Sequence, residues 1–340
     1  MQNVRLYAKH FRRDLVASPE GLPEAARERL LLQGANGSGK STFLETVATL
    51  WGYFGDWIDM GPGRTASRRY LRRLRQYLLE GDLAAVEIGG LLPNKRSLWI
   101  GIGKVGDWVD LKEQRPEAEF AGLICSKSGW EIQLPAGDWG NFRQLSLVGS
   151  EPRANVVFFP PEHRTTGPEA GMAPRIVDLI PYSWLATYSE SVHIASLLLT
   201  IRAKSAGVYD EAMRHINQAL DKQGKEITEL SPNGMIVECR LGVEVKSKHP
   251  IGALSSGEKQ MVLLIGFLAA TLREGGIVLI DEPDLHIHVT MLQQLLGAIE
   301  AIVKQRHGQL IVASHSEEVW DWFSLSSEQI ELASWRRATT

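Results

Sequence analysis

The fold is decided by the stretch Gly34-Ala35-Asn36-Gly37-Ser38-Gly39-Lys40-Ser41. It follows the apolar run Arg29–Gln33, which has the length of a buried strand. After it, from Thr42 to Trp51, apolar residues recur at helical spacing. The three segments therefore predict a strand, a tight glycine-rich turn and a helix, in that order.

The glycine-rich turn has the composition of a phosphate-binding loop. Its glycines let the backbone curl so that successive N–H groups point at one centre, and the following helix adds the positive end of its dipole. We expect Lys40 to reach the β- and γ-phosphates of ATP and the Ser41 hydroxyl to ligate Mg²⁺. A chance match in a glycine-containing turn is the alternative, which the flanking strand and helix disfavour. The predicted ATP-binding residues are Gly34, Ala35, Asn36, Gly37, Ser38, Gly39, Lys40, Ser41 and Thr42.

A second apolar run ends in two carboxylates. Ile277–Ile280 is followed by Asp281, Glu282 and Pro283. A buried strand would deliver Asp281 to the metal, and Glu282, one residue further, is placed to act as general base for an attacking water. The alternative is a strand that ends in an exposed acidic turn; pairing with a phosphate-binding loop favours the metal and base roles.

Two further short motifs stand at the end of a strand and at the start of a helix. Leu254-Ser255-Ser256-Gly257-Glu258 precedes a helix, where it could offer hydroxyls and N–H groups to an anion or simply cap the helix. His315 lies just beyond the strand predicted at Leu310–Ala313, where it could contact the γ-phosphate. Taken alone, each motif favours the structural alternative.

Taken in order, these motifs resemble an ABC-type ATPase head. Ser256 replaces the commoner glycine of the signature and is similar to the heads of chromosome-maintenance and repair proteins. The segment from Asp281 to His288 narrows the resemblance to soluble AAA/ABC-like ATPases of bacterial defence systems: overcoming-lysogenization-defect (OLD) nucleases, Septu and retron ATPases, and RecF-like proteins. By motif, the resemblance covers residues 1–50 and 250–320.

The resemblance implies an α/β fold: a P-loop NTPase of the ABC-ATPase type with an inserted antiparallel β-subdomain and a helical lobe. It also implies a homodimer, or a higher homo-oligomer, in which two heads pack head-to-tail around two ATP molecules. The catalytic residues would be Lys40, Glu282 and His315. The residues contacting ATP in trans would be Ser255, Ser256, Gly257 and Glu258.

We expect three regions along the chain. Residues 1–180 would form an N-terminal ATPase lobe with a β-rich insertion at about 80–150, residues 181–250 a helical lobe and hairpin, and residues 251–340 a C-terminal ATPase lobe. Alternating segments such as Leu98–Ile102 and Gly129–Leu134 are typical of an antiparallel sheet. In the last third, helices and strands alternate, which predicts a parallel sheet. The other predicted elements are a strand at Val4–Ala8, a helical segment from Glu190 to Leu220 with a break near Gly207, and a hairpin of Met235–Leu241 with Val243–Lys246.

Composition excludes several classes of protein. The 340 residues are 44% hydrophobic and 23% charged, with a net charge of -3, which is ordinary for a globular protein and gives no overall signal of nucleic-acid binding. Two cysteines are too few for a disulfide framework and favour a reducing, cytoplasmic location. The longest apolar run, Met261–Leu272, is about a dozen residues, short of a membrane span.

An arginine stripe is the strongest charge cluster. Arg64, Arg68, Arg72 and Arg75 would share one face of a helix at Thr65–Leu79, with Arg69 and Arg73 beside it. The stripe could contact the phosphate backbone of a nucleic acid, or it could be a solvated or partner-facing surface; the two are evenly balanced.

Other positions carry weaker signals. His286 and His288 could be metal ligands, but a structural or dimer-contact role is favoured because residues two apart do not share a helix face. No Q-loop glutamine stands out, and Glu162-His163-Arg164 occupies the expected place.

These observations predict an enzyme that hydrolyses ATP to ADP and phosphate. We expect it to regulate a separate effector, a nuclease or toxin, in bacterial antiphage defence, since only 25 residues follow His315 and an attached nuclease does not fit. The alternative is a RecF/SMC-like ATPase of DNA repair that binds DNA through the arginine stripe. A transporter ATPase subunit is a weaker rival.

Overall fold

A computed structural model gives the architecture of the chain. The residues that it describes are 4–9, 29–60, 83–88, 98–114, 116–126, 129–133, 154–163, 184–188, 193–231, 234–241, 244–324 and 328–331. The predicted arginine stripe at Arg64–Arg75 and the residue Arg164 lie outside these ranges. In the described residues no helix has both the length and the apolar composition needed to cross a membrane.

The centre of the molecule is a six-stranded sheet in which all neighbouring strands are parallel. From one edge to the other, its strands are β14 (Glu328–Glu331), β2 (Arg29–Gln33), β13 (Gln309–Ala313), β12 (Ile277–Asp281), β7 (Val156–Phe159) and β8 (Leu185–Thr187). The predicted parallel sheet is therefore confirmed, and its strands come from both ends of the chain. The predicted strands at 29–33, 277–280 and 310–313 agree with β2, β12 and β13 within one residue at each end.

Both faces of this sheet are buried at its inner strands, so β7 and β12 and the middle of β2 and β13 carry runs of apolar residues rather than an alternating pattern. Leu31 faces one hydrophobic core, and its neighbours Leu30 and Leu32 face another. The second core is built on α1 (Lys40–Met60), which follows the glycine-rich turn. The first core is built on α3 (Ile194–Lys204), α4 (Ala206–Leu220), α5 (Ser256–Thr271) and α6 (Val289–Gln305).

A five-stranded sheet forms the β-rich region. Its strands in order are β1 (Val4–Lys9), β3 (Leu83–Ile88), β4 (Leu98–Lys104), β5 (Glu119–Ser126) and β6 (Gly129–Gln133). Most neighbours are antiparallel, as expected, but β4 and β5 are parallel. The sheet is therefore mixed, because α2 (Val105–Gln114) crosses between β4 and β5 and reverses the direction of the chain.

A three-stranded antiparallel sheet stands beside the helices. Its strands are β9 (Lys225–Ser231), β10 (Gly234–Leu241) and β11 (Glu244–Pro250), with β10 in the middle. The predicted hairpin corresponds to β10 and β11. The helix break predicted near Gly207 lies at Ser205, which ends α3 and caps α4 by accepting a hydrogen bond from the Val208 N–H at 3.3 Å.

Candidate nucleotide-binding site

The glycine-rich turn has the backbone that phosphate binding requires. Gly34, Gly37 and Gly39 have φ of 146°, 81° and 95°, conformations that residues with a Cβ rarely adopt. The Ser38 N–H closes the turn on the Ala35 carbonyl at 3.1 Å. Helix α1 begins directly after the turn, so its unsatisfied N–H groups face the turn's concave side.

Lys40, the first residue of α1, is 5% exposed despite its charge. Its Nζ donates to the carbonyl oxygens of Gly34 at 2.7 Å and Ala35 at 3.3 Å. The side chain therefore folds back over the loop, where its ammonium group can exchange these carbonyls for phosphate oxygens. Ser41, next in the helix, is exposed at the same end.

Three strand ends meet at the edge of the central sheet that carries this loop. Strand β13 lies between β2 and β12, and Ala313 is in register with both Leu32 and Asp281. Because the strands are parallel, their carboxyl ends emerge side by side. The loop, the acidic pair and His315 are thus brought to the same edge of the sheet.

Asp281 is the last residue of β12 and is 1% exposed. A buried carboxylate is costly unless it faces compensating groups. With the Ser41 hydroxyl it supplies hard oxygen donors of the type that Mg²⁺ binds, so these two residues fit the predicted metal. Among the described residues no cluster of three His, Cys, Asp or Glu suggests another metal site.

Glu282 lies just past the strand in a left-handed backbone conformation, with φ of 51°. Its N–H donates to the Ala313 carbonyl at 2.7 Å. Its Oε2 lies 2.8 Å from Nδ1 of His315, and its side chain is 14% exposed. The carboxylate is thus held at the mouth of the site by the neighbouring strand end.

Ser314 links the same groups and was not singled out from the sequence. Its buried hydroxyl donates to Oδ1 of Asp284 at 2.9 Å and lies 3.4 Å from Oε2 of Glu282. The Ser316 N–H donates to the same hydroxyl at 3.0 Å. The sequence signal that could have identified Ser314 is its position directly before a candidate histidine at the end of a strand.

The contact with Glu282 shifts the pKa of His315. The hydrogen bond to the Glu282 carboxylate raises the pKa of His315, and the charges of Glu282 and Asp284 raise it further, against burial and the charge of Lys40. The imidazole ring therefore holds its proton to higher pH than a free histidine.

The signature segment forms the N-terminus of α5. Ser255 is the N-cap residue, and the helix begins at Ser256. Ser255 Oγ accepts from the Glu258 N–H at 3.3 Å, and the Ser255 N–H donates to Glu258 Oε2 at 2.8 Å. Both arms of a capping box are present. A Cβ added at Gly257 would be in ordinary van der Waals contact with the His286 carbonyl oxygen, at 3.4 Å.

The remaining sequence candidates are dispersed. His288 is the N-cap of α6 and accepts a hydrogen bond from the Thr290 N–H at 3.3 Å. Glu162, the position closest to a Q-loop, is exposed in a short 3₁₀ turn that follows β7, the strand beside β12. The possible nucleic-acid contacts, Arg64, Arg68, Arg69, Arg72, Arg73 and Arg75, lie outside the described residues.

Residues 242–321 match the family described as "AAA domain, putative AbiEii toxin, Type IV TA system". The match includes the signature segment, the acidic pair and His315. No curated protein matches the chain.

Similar solved structures are distant in sequence. The SMC head domain from Thermotoga maritima is 15% identical, with a TM-score of 0.45 over 94% of this chain and 91% of its own. An SMC head bound to the C-winged helix domain of ScpA is 14% identical, with a TM-score of 0.41 over 94% and 92%. A dimeric bacterial ABC transporter cassette is 13% identical, with a TM-score of 0.37 over 97% and 94%.

Proposed function

We propose that this chain binds and hydrolyses ATP, dimerises around it, and thereby regulates a separate effector in bacterial antiphage defence. The observation that carries the proposal is the meeting of three features at one sheet edge. These are the phosphate-binding loop with Lys40, the buried Asp281, and Glu282 held 2.8 Å from His315. Together they provide phosphate binding, metal binding and a general base.

In the proposed reaction, the loop N–H groups and Lys40 bind the phosphates of ATP. Asp281 and Ser41 would hold Mg²⁺, which neutralises charge that develops on the phosphate oxygens. Glu282 accepts a proton from the attacking water while the γ-phosphoryl group is transferred to that water, giving ADP and phosphate. His315 orients the Glu282 carboxylate and offers a proton toward the γ-phosphate.

Dimerisation would complete the site. In the proposed dimer, Ser255, Ser256 and Gly257 of one copy contact the γ-phosphate held by the loop of the other. Ser255 and Ser256 are exposed at the start of α5, which suits this role because the first turn of a helix offers N–H groups to an anion. Glu258 was predicted to contact ATP as well, but its carboxylate is engaged within the capping box and with Lys225. We therefore assign Glu258 to support of the signature.

The effector is proposed from the family match and from the motif resemblance. The description of the matched family names a toxin and a toxin–antitoxin system. The motifs from Asp281 to His288 resemble those of ATPases in bacterial defence. A nuclease or toxin controlled by the nucleotide state of the dimer agrees with both. Co-purification with this chain is the experiment that would identify the partner.

The ATPase part of the proposal is tested by Lys40→Ala. The variant removes the ammonium group that folds over the loop, so Mg²⁺-dependent ATP binding should weaken by about tenfold or more and turnover should be lost. Lys304→Ala, an exposed lysine in the last turn of α6, is the matched control and should behave as the parent. Unchanged turnover and biological activity in Lys40→Ala would refute the proposal.

A further inference from the structure

A charged contact links the three-stranded sheet to the signature. Lys225 is the first residue of β9 and follows Gly224, whose φ of 65° turns the chain out of the preceding 3₁₀ helix. From there the Lys225 Nζ donates to both carboxylate oxygens of Glu258, at 2.7 and 2.9 Å. The Glu258 side chain is 6% exposed and that of Lys225 is 22% exposed. The contact is thus mostly removed from water.

The Glu258 carboxylate contacts both Lys225 and the signature segment. Oε2 accepts from Lys225 and also from the Ser255 N–H at 2.8 Å. Burial acts to raise the pKa of Glu258, but the hydrogen bonds from Lys225 and Ser255 outweigh burial and lower the pKa overall. The carboxylate therefore stays charged in a buried position, which keeps the second arm of the capping box in place.

The backbone position of Lys225 is fixed by the contacts of strand β9. Lys225 pairs with Cys239 across the β9–β10 ladder. Two residues along β9, the Ile227 backbone is fixed to α4 by the side chain of Asn217, which donates to the Ile227 carbonyl at 3.0 Å and accepts from the Ile227 N–H at 2.9 Å. The lysine is therefore presented from a fixed strand rather than from a free loop.

We propose that Lys225 is a positioning residue for the trans nucleotide contact of Ser255, acting through the Glu258 carboxylate. This inference rests on the proposed function. Removal of Lys225 leaves a buried carboxylate without its cation, so Glu258 takes up a proton or turns toward solvent. Either change releases the Ser255 N–H, and the Ser255 hydroxyl loses its fixed direction toward the nucleotide of the second copy.

The test compares ATP binding with ATP-driven dimerisation in the Glu282→Gln background. Four proteins are needed: the parent, Lys225→Met, Lys225→Arg, and Lys222→Met as an exposed control three residues away. Fluorescent ATP measures binding to each protein at a concentration where it is monomeric, and sedimentation with Mg²⁺ and ATP measures the dimer dissociation constant. We expect Lys225→Met to bind ATP within about twofold of the parent and to dimerise about tenfold or more weakly. Lys225→Arg should restore dimerisation, and Lys222→Met should match the parent.

The outcomes are distinguishable. If the parent forms a dimer with ATP and Lys225→Met dimerises equally well, this inference is overturned but the proposed function is not. A parent that stays monomeric with ATP overturns the proposed function and this inference with it. Equal loss of ATP binding and dimerisation indicates a purely structural lysine and also overturns the inference.

A double-mutant cycle with Ser255→Ala gives an independent readout. If Lys225 acts through Ser255, the effects of the two substitutions on the dimer dissociation constant are non-additive, whereas additive effects overturn the inference. Lys225→Gln, which removes the positive charge but keeps a polar amide N–H₂ group near Glu258, replaces Lys225→Met in both experiments should the latter fail to fold.

Discussion

Glu282 combines an uncommon backbone conformation with a fixed side chain. Its φ of 51° costs an L-residue about 1–2 kcal/mol, and the structure offsets this with the hydrogen bond to the Ala313 carbonyl. In return, the carboxylate turns away from the strand and meets His315. Backbone strain of this kind concentrates at functional sites, and here it aims the proposed general base.

The Glu282–His315 pair predicts a pH dependence of stability. The pKa of His315 is raised in the folded chain, so the pair stabilises the fold fully below the unfolded value of about 6.5 and loses this effect as pH rises through the folded value. We expect the melting temperature of the parent to exceed that of His315→Gln more at about pH 6 than at about pH 9. Both are measured by thermal melting monitored by circular dichroism.

The control is His307→Gln. His307 is 79% exposed and lies 3.8 Å from Glu274, so its replacement should give the same small difference at both pH values. A His315→Gln difference that is flat or grows with pH would contradict the assigned pair. Because the His315 side chain is about half exposed, we expect the effect to weaken in high salt.

Some of these residues could be identified from the sequence and others could not, for a physical reason. Asp281, Glu282 and His315 each lie within two residues of the end of an apolar run, so a local pattern identifies them as strand-end residues. Lys225 meets Glu258 across 33 positions, and the Asn155 amide meets the Thr271 carbonyl across 116. Contacts between such distant segments depend on tertiary packing, which leaves no local signal.

At the scale of elements, the C-terminal half of α1 is fitted against Trp184. Trp51 donates its indole N–H to the Trp184 carbonyl at 2.8 Å, and the rings of Trp51 and Phe54 pack edge-on to the Trp184 ring. Gly55 completes this contact, because an added Cβ there would lie 2.1 Å from Cγ of Trp184. The helix can approach β8 this closely only with glycine at position 55.

We therefore expect Gly55→Ala to destabilise the fold by about 1–3 kcal/mol. The measurement is the free energy of unfolding in urea. Gly207→Ala in the first turn of α4 is the matched control, since its added Cβ meets nothing within 4 Å, and it should be neutral or stabilising by up to ~1 kcal/mol. Equal stability of Gly55→Ala and the parent would show that the helix and Trp184 are not in close contact.

Charge reversal in the arginine stripe distinguishes the proposed function from its DNA-repair alternative. Reversing the charge of Arg68, Arg69 and Arg72 should leave ATP turnover unchanged, since all three lie outside the phosphate-binding motifs. If the stripe binds DNA, filter binding of duplex DNA with ATP falls and loses most of its salt dependence in the variant. We expect little DNA binding by either protein; strong, arginine-dependent binding would favour the RecF/SMC-like alternative.

The elements differ in how well their patterns could be read. Strands β2, β12 and β13 were predicted within one residue at each end, because long apolar runs identify fully buried elements. Helix α1 continues from the predicted end at Trp51 to Met60, and the edge strands β8 and β14 were not predicted. Helix α2 (Val105–Gln114) was missed, since it carries exposed Val105 and Val109 and only a narrow apolar face with Trp108 and Leu111. That helix makes the β4–β5 pair parallel, so the mixed sheet could not be foreseen either.

The described part of the molecule is organised around the six-stranded sheet, which has a hydrophobic core on each face. Segments at opposite ends of the chain, 29–33 and 309–313, are neighbouring strands in it. The candidate site lies at its carboxyl edge, and the signature caps a helix packed on one face. In this arrangement each group proposed to act on ATP lies at the end of a strand or at the start of a helix. The arrangement is consistent with a site shared between two copies.

The most direct test of the account is the mass of Glu282→Gln in solution with Mg²⁺ and ATP. The substitution keeps the site's shape but removes the base, so turnover should fall by about 10²-fold or more and ATP should remain bound. Light scattering should then give twice the 37.8 kDa chain mass with ATP, and the chain mass without it or in a Lys40→Ala/Glu282→Gln double variant. A mass of one chain with ATP bound would contradict the account.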